Sequence, residues 1–379
     1  MTRFIAAAAL CVSSFSLFSC GNPQPTPSSG GFEVVVTGEN FATDGYPFPP
    51  STPDDLFFQD GWQISYTHVL ASFDHLTVSS NPDRSPTDQS QTGPVVATVD
   101  GPWVVDLAQR GPIESAERNG TAWSVVKLEN EGGRFDPTQR YAFGFSLVEA
   151  KGGTATKRLN PVSDADLATM ASKGWSLWLR GVAEFKGTAC RSSVPGYDFT
   201  RLPKKVNFSL GFKTPTTFKN CINPQLMPDD SRGIQSQKDA VTRAQITFHL
   251  DHPLWESLVE DAPLRFDIVA GRKSVDAGVA QPSSVEVTQD DLVGVGFQGA
   301  TDAQGVALPW RYCGARAANE RTSGTVSYGT AGVPVTAPTG SPTDGLRDLL
   351  DFMVYNQSTF GHLNNDGLCF PERNFSAPR

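Results

Sequence analysis

Five histidines stand in a chain of 379 residues, and they fall into three short neighbourhoods: His68 with His75, His249 with His252, and His362 alone. In Thr247-Phe248-His249-Leu250-Asp251-His252, alternation puts an imidazole and a carboxylate on the polar side of a strand whose other side carries Phe248 and Leu250. Neutral imidazole nitrogens suit zinc or copper, and a carboxylate either ligates the ion or holds the ring's other N–H. His252 precedes Pro253, where the strand must stop, so its side chain can cap a following helix or turn back to the same ion. His362 lies in Phe360-Gly361-His362-Leu363-Asn364-Asn365-Asp366-Gly367, a turn-rich run beside Cys369 that a disulfide would rigidify. His249, Asp251, His252 and His362 are therefore the candidate metal ligands, with copper or zinc the expected ion. His68 shares its alternation with Trp62, Ile64 and Tyr66 and reads as a core histidine bonded to a carbonyl; His75 beside Asp74 reads as a surface pair.

Other chemistries fail on context. Asn364, Asp366 and Gly367 echo positions three, five and six of an EF-hand loop, but position twelve would be Arg373, where an acid must sit. Gly294-Val295-Gly296-Phe297-Gln298-Gly299 matches the dinucleotide pattern, yet turn-like residues follow it instead of a helix and a second parallel strand. No Gly-x-Ser-x-Gly elbow occurs, and Ser124 and Lys127 fall on opposite faces of a strand. Asp290 and Asp291 after Thr288 fit a helix N-terminus. No catalytic residue is assigned, and the chain reads as a binding protein rather than an enzyme. The competing reading is a metal-free surface module for carbohydrate or protein. It rests on Trp178, which falls on the opposite strand face from Trp175 and could stack on a ligand.

The elements that must position these residues are strands. Trp62 to Leu70, Tyr141 to Leu147, Trp175 to Leu179, Val206 to Phe212 and Ala244 to Leu250 all alternate with period two. Shorter runs at Val34 to Thr37, Val95 to Val99, Trp103 to Leu107, Trp123 to Leu128, Leu264 to Ala270 and Ser284 to Thr288 add to them. Gly, Pro, Ser and Asp clusters separate the runs, which predicts a mainly β chain folded as an antiparallel β-sandwich with a few short helices. Helices are expected after Ser163, ending at Gly174, within Pro253 to Val259, and over Thr343 to Asn356. The strand signals divide into two sandwich units, 32–155 and 156–379, the second carrying the C-terminal helix and the braced loop, or else build one composite sandwich.

A formal charge of −9, with Lys and Arg scattered and outnumbered, excludes nucleic acid as a partner. The address lies at the start of the chain. Arg3, the apolar run Phe4 to Leu17, and Leu17-Phe18-Ser19-Cys20-Gly21 form a leader whose end resembles the lipobox of bacterial lipoproteins. That resemblance covers five residues. It implies a signal peptide at 1–19, acylation of Cys20, and a membrane anchor through the N-terminal lipid in the cell envelope, on the outer membrane. Residues 20–31, rich in Pro, Ser and Gly, read as the stalk. With Cys11 removed and Cys20 lipidated, Cys190, Cys221, Cys313 and Cys369 remain for disulfides in an oxidising compartment. The moderate loops favour Cys190 with Cys221 and Cys313 with Cys369.

Overall fold

The computed structural model describes residues 30–52, 55–115, 120–228, 230–259, 261–314, 320–330 and 346–375. The leader, Cys20 and all of the stalk before residue 30 lie outside the described residues.

Two sheets face each other as a β-sandwich. The smaller runs Gly367–Leu368, Gly361–Leu363, Val241–Phe248, Gly31–Thr37, Thr121–Glu129, Ile113–Glu114. The larger has the main path Val285–Thr288, Lys205–Phe212, Leu177–Phe185, Trp62–Ser80, Arg140–Leu147, Thr216–Lys219, Phe370–Arg373. Alternation places the apolar side chains of each sheet toward the other. Phe73 and Phe145 of the large sheet meet Phe248 of the small one, with ring centroids 6.2 and 5.9 Å apart, and each ring is almost fully buried. Burial of such a side chain contributes roughly 1.5–3 kcal/mol, so this seam fixes how the layers sit.

Pairing is mostly antiparallel. Among the described strands three pairs are parallel: Gly31–Thr37 with Val241–Phe248, Lys205–Phe212 with Val285–Thr288, and Trp103–Asp106 with Lys157–Arg158. The division at residue 155 does not survive as two sandwiches. Gly31–Thr37 pairs with Val241–Phe248, and Trp62–Ser80 pairs with Leu177–Phe185, so both sheets draw strands from both sides of that boundary. One core cluster runs from Phe32 to Leu363. A satellite cluster under the helix Asp164–Lys173 holds Leu167, Met170, Trp175 and Trp178.

That helix starts and stops where the sequence predicts. The Ser163 hydroxyl accepts from the Asp166 N–H, and Gly174 ends the helix with φ of 66°. Thr288 and Asp291 form a capping box on a short turn, as the acidic pair suggests. The C-terminal helix is Leu349–Gln357, capped by Asp348, and residues 343–345 of the expected span lie outside the described residues. His252–Leu254 is a single 3-10 turn in place of the helix expected there.

Leu264 to Ala270 is not a strand. The buried Asp60 carboxylate takes the N–H groups of Phe266 and Asp267, at 2.7 Å each, so these donors are spent on a helical turn, Asp267–Ala270. Around that turn lies a buried ionic network. Arg265 pairs with Glu256 at 2.7 Å, Arg311 pairs with Asp267, and the Arg265 guanidinium lies 4.3 Å from the Tyr312 ring centroid.

Both disulfides differ from the expected pairing. Cys190 bonds Cys313, and Cys221 bonds Cys369. Strand register explains this. Arg191 lies opposite Tyr312, which brings Cys190 to Cys313, and Lys219 lies opposite Phe370, which brings Cys221 to Cys369. Loop closure costs rise only with the logarithm of loop length, so the shorter loops had no decisive advantage.

Candidate metal centre

Three of the four candidate ligands, His249, Asp251 and His252, converge, and the His362 ring lies beside them. Strand Val241–Phe248 pairs antiparallel with Gly361–Leu363, and Thr247 stands opposite His362. His249, two residues on, is the diagonal neighbour of His362 on that face, within reach of an aromatic ring. The His249 and His362 ring centroids lie 4.1 Å apart. The chain then leaves the sheet and turns through Asp251 into His252–Leu254, which brings His252 within 5.6 Å of His249 and 5.3 Å of His362, centroid to centroid. The turn, and not strand alternation, delivers Asp251 and His252. One ligand atom from each of His249, Asp251 and His252 lies within 4.8 Å of the other two.

Hydrogen bonds settle which ring nitrogens are available. His249 Nε2 faces the Asn365 carbonyl at 3.1 Å and His362 Nε2 faces the Thr359 carbonyl at 3.2 Å, so both rings carry their proton on Nε2. The Thr359 hydroxyl donates to the Asn356 carbonyl at 2.7 Å, and therefore accepts from His252 Nδ1 at 2.8 Å. The ring nitrogens outside these hydrogen bonds are Nδ1 of His249 and His362 and Nε2 of His252. Metal-bound histidines are commonly held this way, the second N–H spent on a protein acceptor.

The carboxylates and electrostatics fit the same picture. Asp251 Oδ2 accepts from the Trp255 indole N–H at 3.0 Å, and the His252 ring stacks on that indole with centroids 3.8 Å apart. Asp251 Oδ1 and His362 Nδ1 are buried and have no hydrogen-bond partner among the described residues. Burial, and then the neighbouring imidazoles, holds His252 and His362 well below the usual histidine range, so both rings are neutral at pH 7. Burial pushes the Asp251 carboxyl up, against the opposing pull of His249.

Glu39 was not among the expected ligands. It follows the strand Gly31–Thr37, and its Oε2 lies 3.8 Å from His249 Nδ1 with both side chains 12 % exposed. Burial first, then Asp251 and Asp366, raises its carboxyl well above the ordinary range. It opens the short helix Glu39–Asp44, and no periodic pattern in the sequence marks it as a ligand. Tyr46 and Tyr66 also border the group, with buried hydroxyls that lack a partner among the described residues. Burial, then the Asp251 carboxylate, pushes both phenols up.

The remaining candidates lie elsewhere. His68 is half-exposed and bonds the Asp106 carboxylate at 2.8 Å, in place of a carbonyl. His75 bonds Asp100 at 2.8 Å on the surface, with Asp74 at 3.9 Å. Trp178 is no exposed platform. It is 7 % exposed, donates to the Ser209 hydroxyl at 2.9 Å, and packs against Trp175 with centroids 5.3 Å apart. Its partners face it across two neighbouring strands and under a helix, which alternation within one strand does not reveal. No family model, curated protein or solved structure matches the chain.

Proposed function

We propose that this is an exported, lipid-anchored binding protein that holds a transition-metal ion, zinc or copper, on His249, Asp251, His252 and His362. One observation carries the reading. Imidazoles from two segments more than a hundred positions apart meet in the interior, each with one ring nitrogen committed to a protein oxygen and the other outside those hydrogen bonds. A packing role would not call for Asp251 Oδ1 and His362 Nδ1 to be buried with no partner among the described residues, because burying an unsatisfied polar atom costs about 1–3 kcal/mol.

Elemental analysis of the mature domain, before and after exposure to zinc or copper, tests this. The expected result is about one equivalent of ion per chain and a melting temperature that rises with metal, since a ligand at a hundred times its Kd adds about 2.7 kcal/mol. His249→Ala is expected to lose both the ion and the rise. Metal-free protein whose melting temperature ignores both ions would overturn the proposal. The anchor rests on the lipobox resemblance and is tested separately. Cells fed a labelled fatty acid are expected to label the parent chain and not Cys20→Ala, which should leave the membrane fraction; equal labelling of the two would refute lipidation at Cys20.

A further inference from the structure

We infer that Glu39 is a further ligand of this centre, and that its carboxylate makes the site one for a divalent zinc-type ion and not for cuprous copper. The inference rests on the proposed metal centre and specifies its donor set.

Glu39 Oε2 and His249 Nδ1 face each other at 3.8 Å, too far for a hydrogen bond. His249 Nε2 faces the Asn365 carbonyl at 3.1 Å, which leaves Nδ1 turned to the Glu39 carboxyl. A cation held between that nitrogen and that oxygen would satisfy both. The separation is shorter than twice a zinc–ligand bond of about 2.0–2.2 Å, so one ion can reach both. Glu39 Oε2 has no hydrogen-bond partner among the described residues, which puts it in the same condition as Asp251 Oδ1 and His362 Nδ1.

The backbone supplies an independent sign. Glu39 has φ of 61°, a left-handed conformation that costs a residue with a Cβ roughly 1–2 kcal/mol. Its N–H donates to the Thr37 hydroxyl at 3.1 Å, and that hydroxyl donates to the Thr121 carbonyl at 2.9 Å, so the strained residue is tied to two strands of the small sheet. Glycine would occupy this position without strain. Strain of this kind persists where the side chain is needed in one place.

Charge decides the class of ion. Two ionised carboxylates neutralise a divalent cation, whereas a monovalent one leaves a net negative charge buried without a partner. Cuprous copper also favours sulfur, and Cys190, Cys221, Cys313 and Cys369 are all oxidised to disulfides.

Metal-stripped parent, Glu39→Gln, Glu39→Gly and His249→Ala would be titrated with zinc, cobalt(II) and cuprous ion against competing chelators, with melting curves for each variant. Glu39→Gln is expected to weaken zinc at least about tenfold, the scale on which even outer-shell partners of a metal act. It should also change the visible spectrum of bound cobalt while leaving cuprous affinity within about twofold. Glu39→Gly is expected to weaken zinc equally and yet melt higher than the parent without metal, which a merely structural glutamate would not allow. Zinc affinity and a cobalt spectrum unchanged by Glu39→Gln, with His249→Ala abolishing both, would remove Glu39 and leave the centre standing. Equal losses for zinc and cuprous ion would overturn the divalent assignment, and a parent that takes up none of the three ions would overturn the centre itself.

Discussion

Serine at both Cys221 and Cys369 is expected to lower the unfolding free energy by about 3–5 kcal/mol, measured by urea denaturation at equilibrium. The bond spans a separation of 148 residues, so its loss frees a long loop in the unfolded ensemble. Its position adds to the effect. Gly361–Leu363 and Gly367–Leu368 belong to the small sheet and Phe370–Arg373 to the large one, so Cys369 sits where the chain passes from one layer to the other. His362 rides on the first of these strands, and the same double variant is expected to bind zinc more weakly. The Cys190–Cys313 bond braces a separate two-stranded ribbon, Arg191–Ser192 with Arg311–Tyr312. Its double-serine variant is expected to lose stability while keeping its metal. Equal metal losses in the two variants would contradict this assignment.

Replacing Asp60 by asparagine is expected to stabilise the protein by a few kcal/mol at pH 8 and to change little near pH 4. Burial, and then the neighbouring Asp267 carboxylate, push the Asp60 carboxyl up to about 7, against the pull of Arg265 and Arg311. The folded state therefore holds a proton that the unfolded state releases near pH 4. Between these values the folded form binds more protons, so stability falls as pH rises toward 7 and is flat above it. An amide keeps an oxygen for the N–H groups of Phe266 and Asp267. It also places a donor where Asp60 Oδ1 has no partner among the described residues. Glu39 and Asp251 titrate in the same sense, so the informative quantity is parent minus variant across pH 4–8. A difference that does not vary with pH would refute the assignment.

Much of the sandwich was legible because alternation reports burial directly. Tyr141 to Leu147 and Val206 to Phe212 are strands almost to the residue, and Ser163 and Gly174 bound their helix through capping chemistry that is local in sequence. The gathering of His249, His252 and His362 was also foreseeable, since few histidines occur and two neighbourhoods carry polar turns. What was not legible is set by contacts distant in sequence. The disulfide partners follow from strand register, the fate of Leu264 to Ala270 from a carboxylate at position 60, and the burial of Trp178 from a helix laid over it. Glu39 reaches the centre only because Gly31–Thr37 lies beside Val241–Phe248 in parallel, with both strands ending at the same edge.

That parallel pair also dictates when the molecule can assemble. Val36 bonds Trp123 on one side and Ile246 on the other, so the first strand has a single neighbour until two thirds of the polypeptide has been made. Distant pairings must pay for loop closure before packing rewards them, which makes such topologies slow to nucleate. Growth from the N-terminus cannot produce a finished front half waiting for a back half. The small sheet is complete only once Val241–Phe248 is present, and His249, which follows that strand, can approach Glu39 only then.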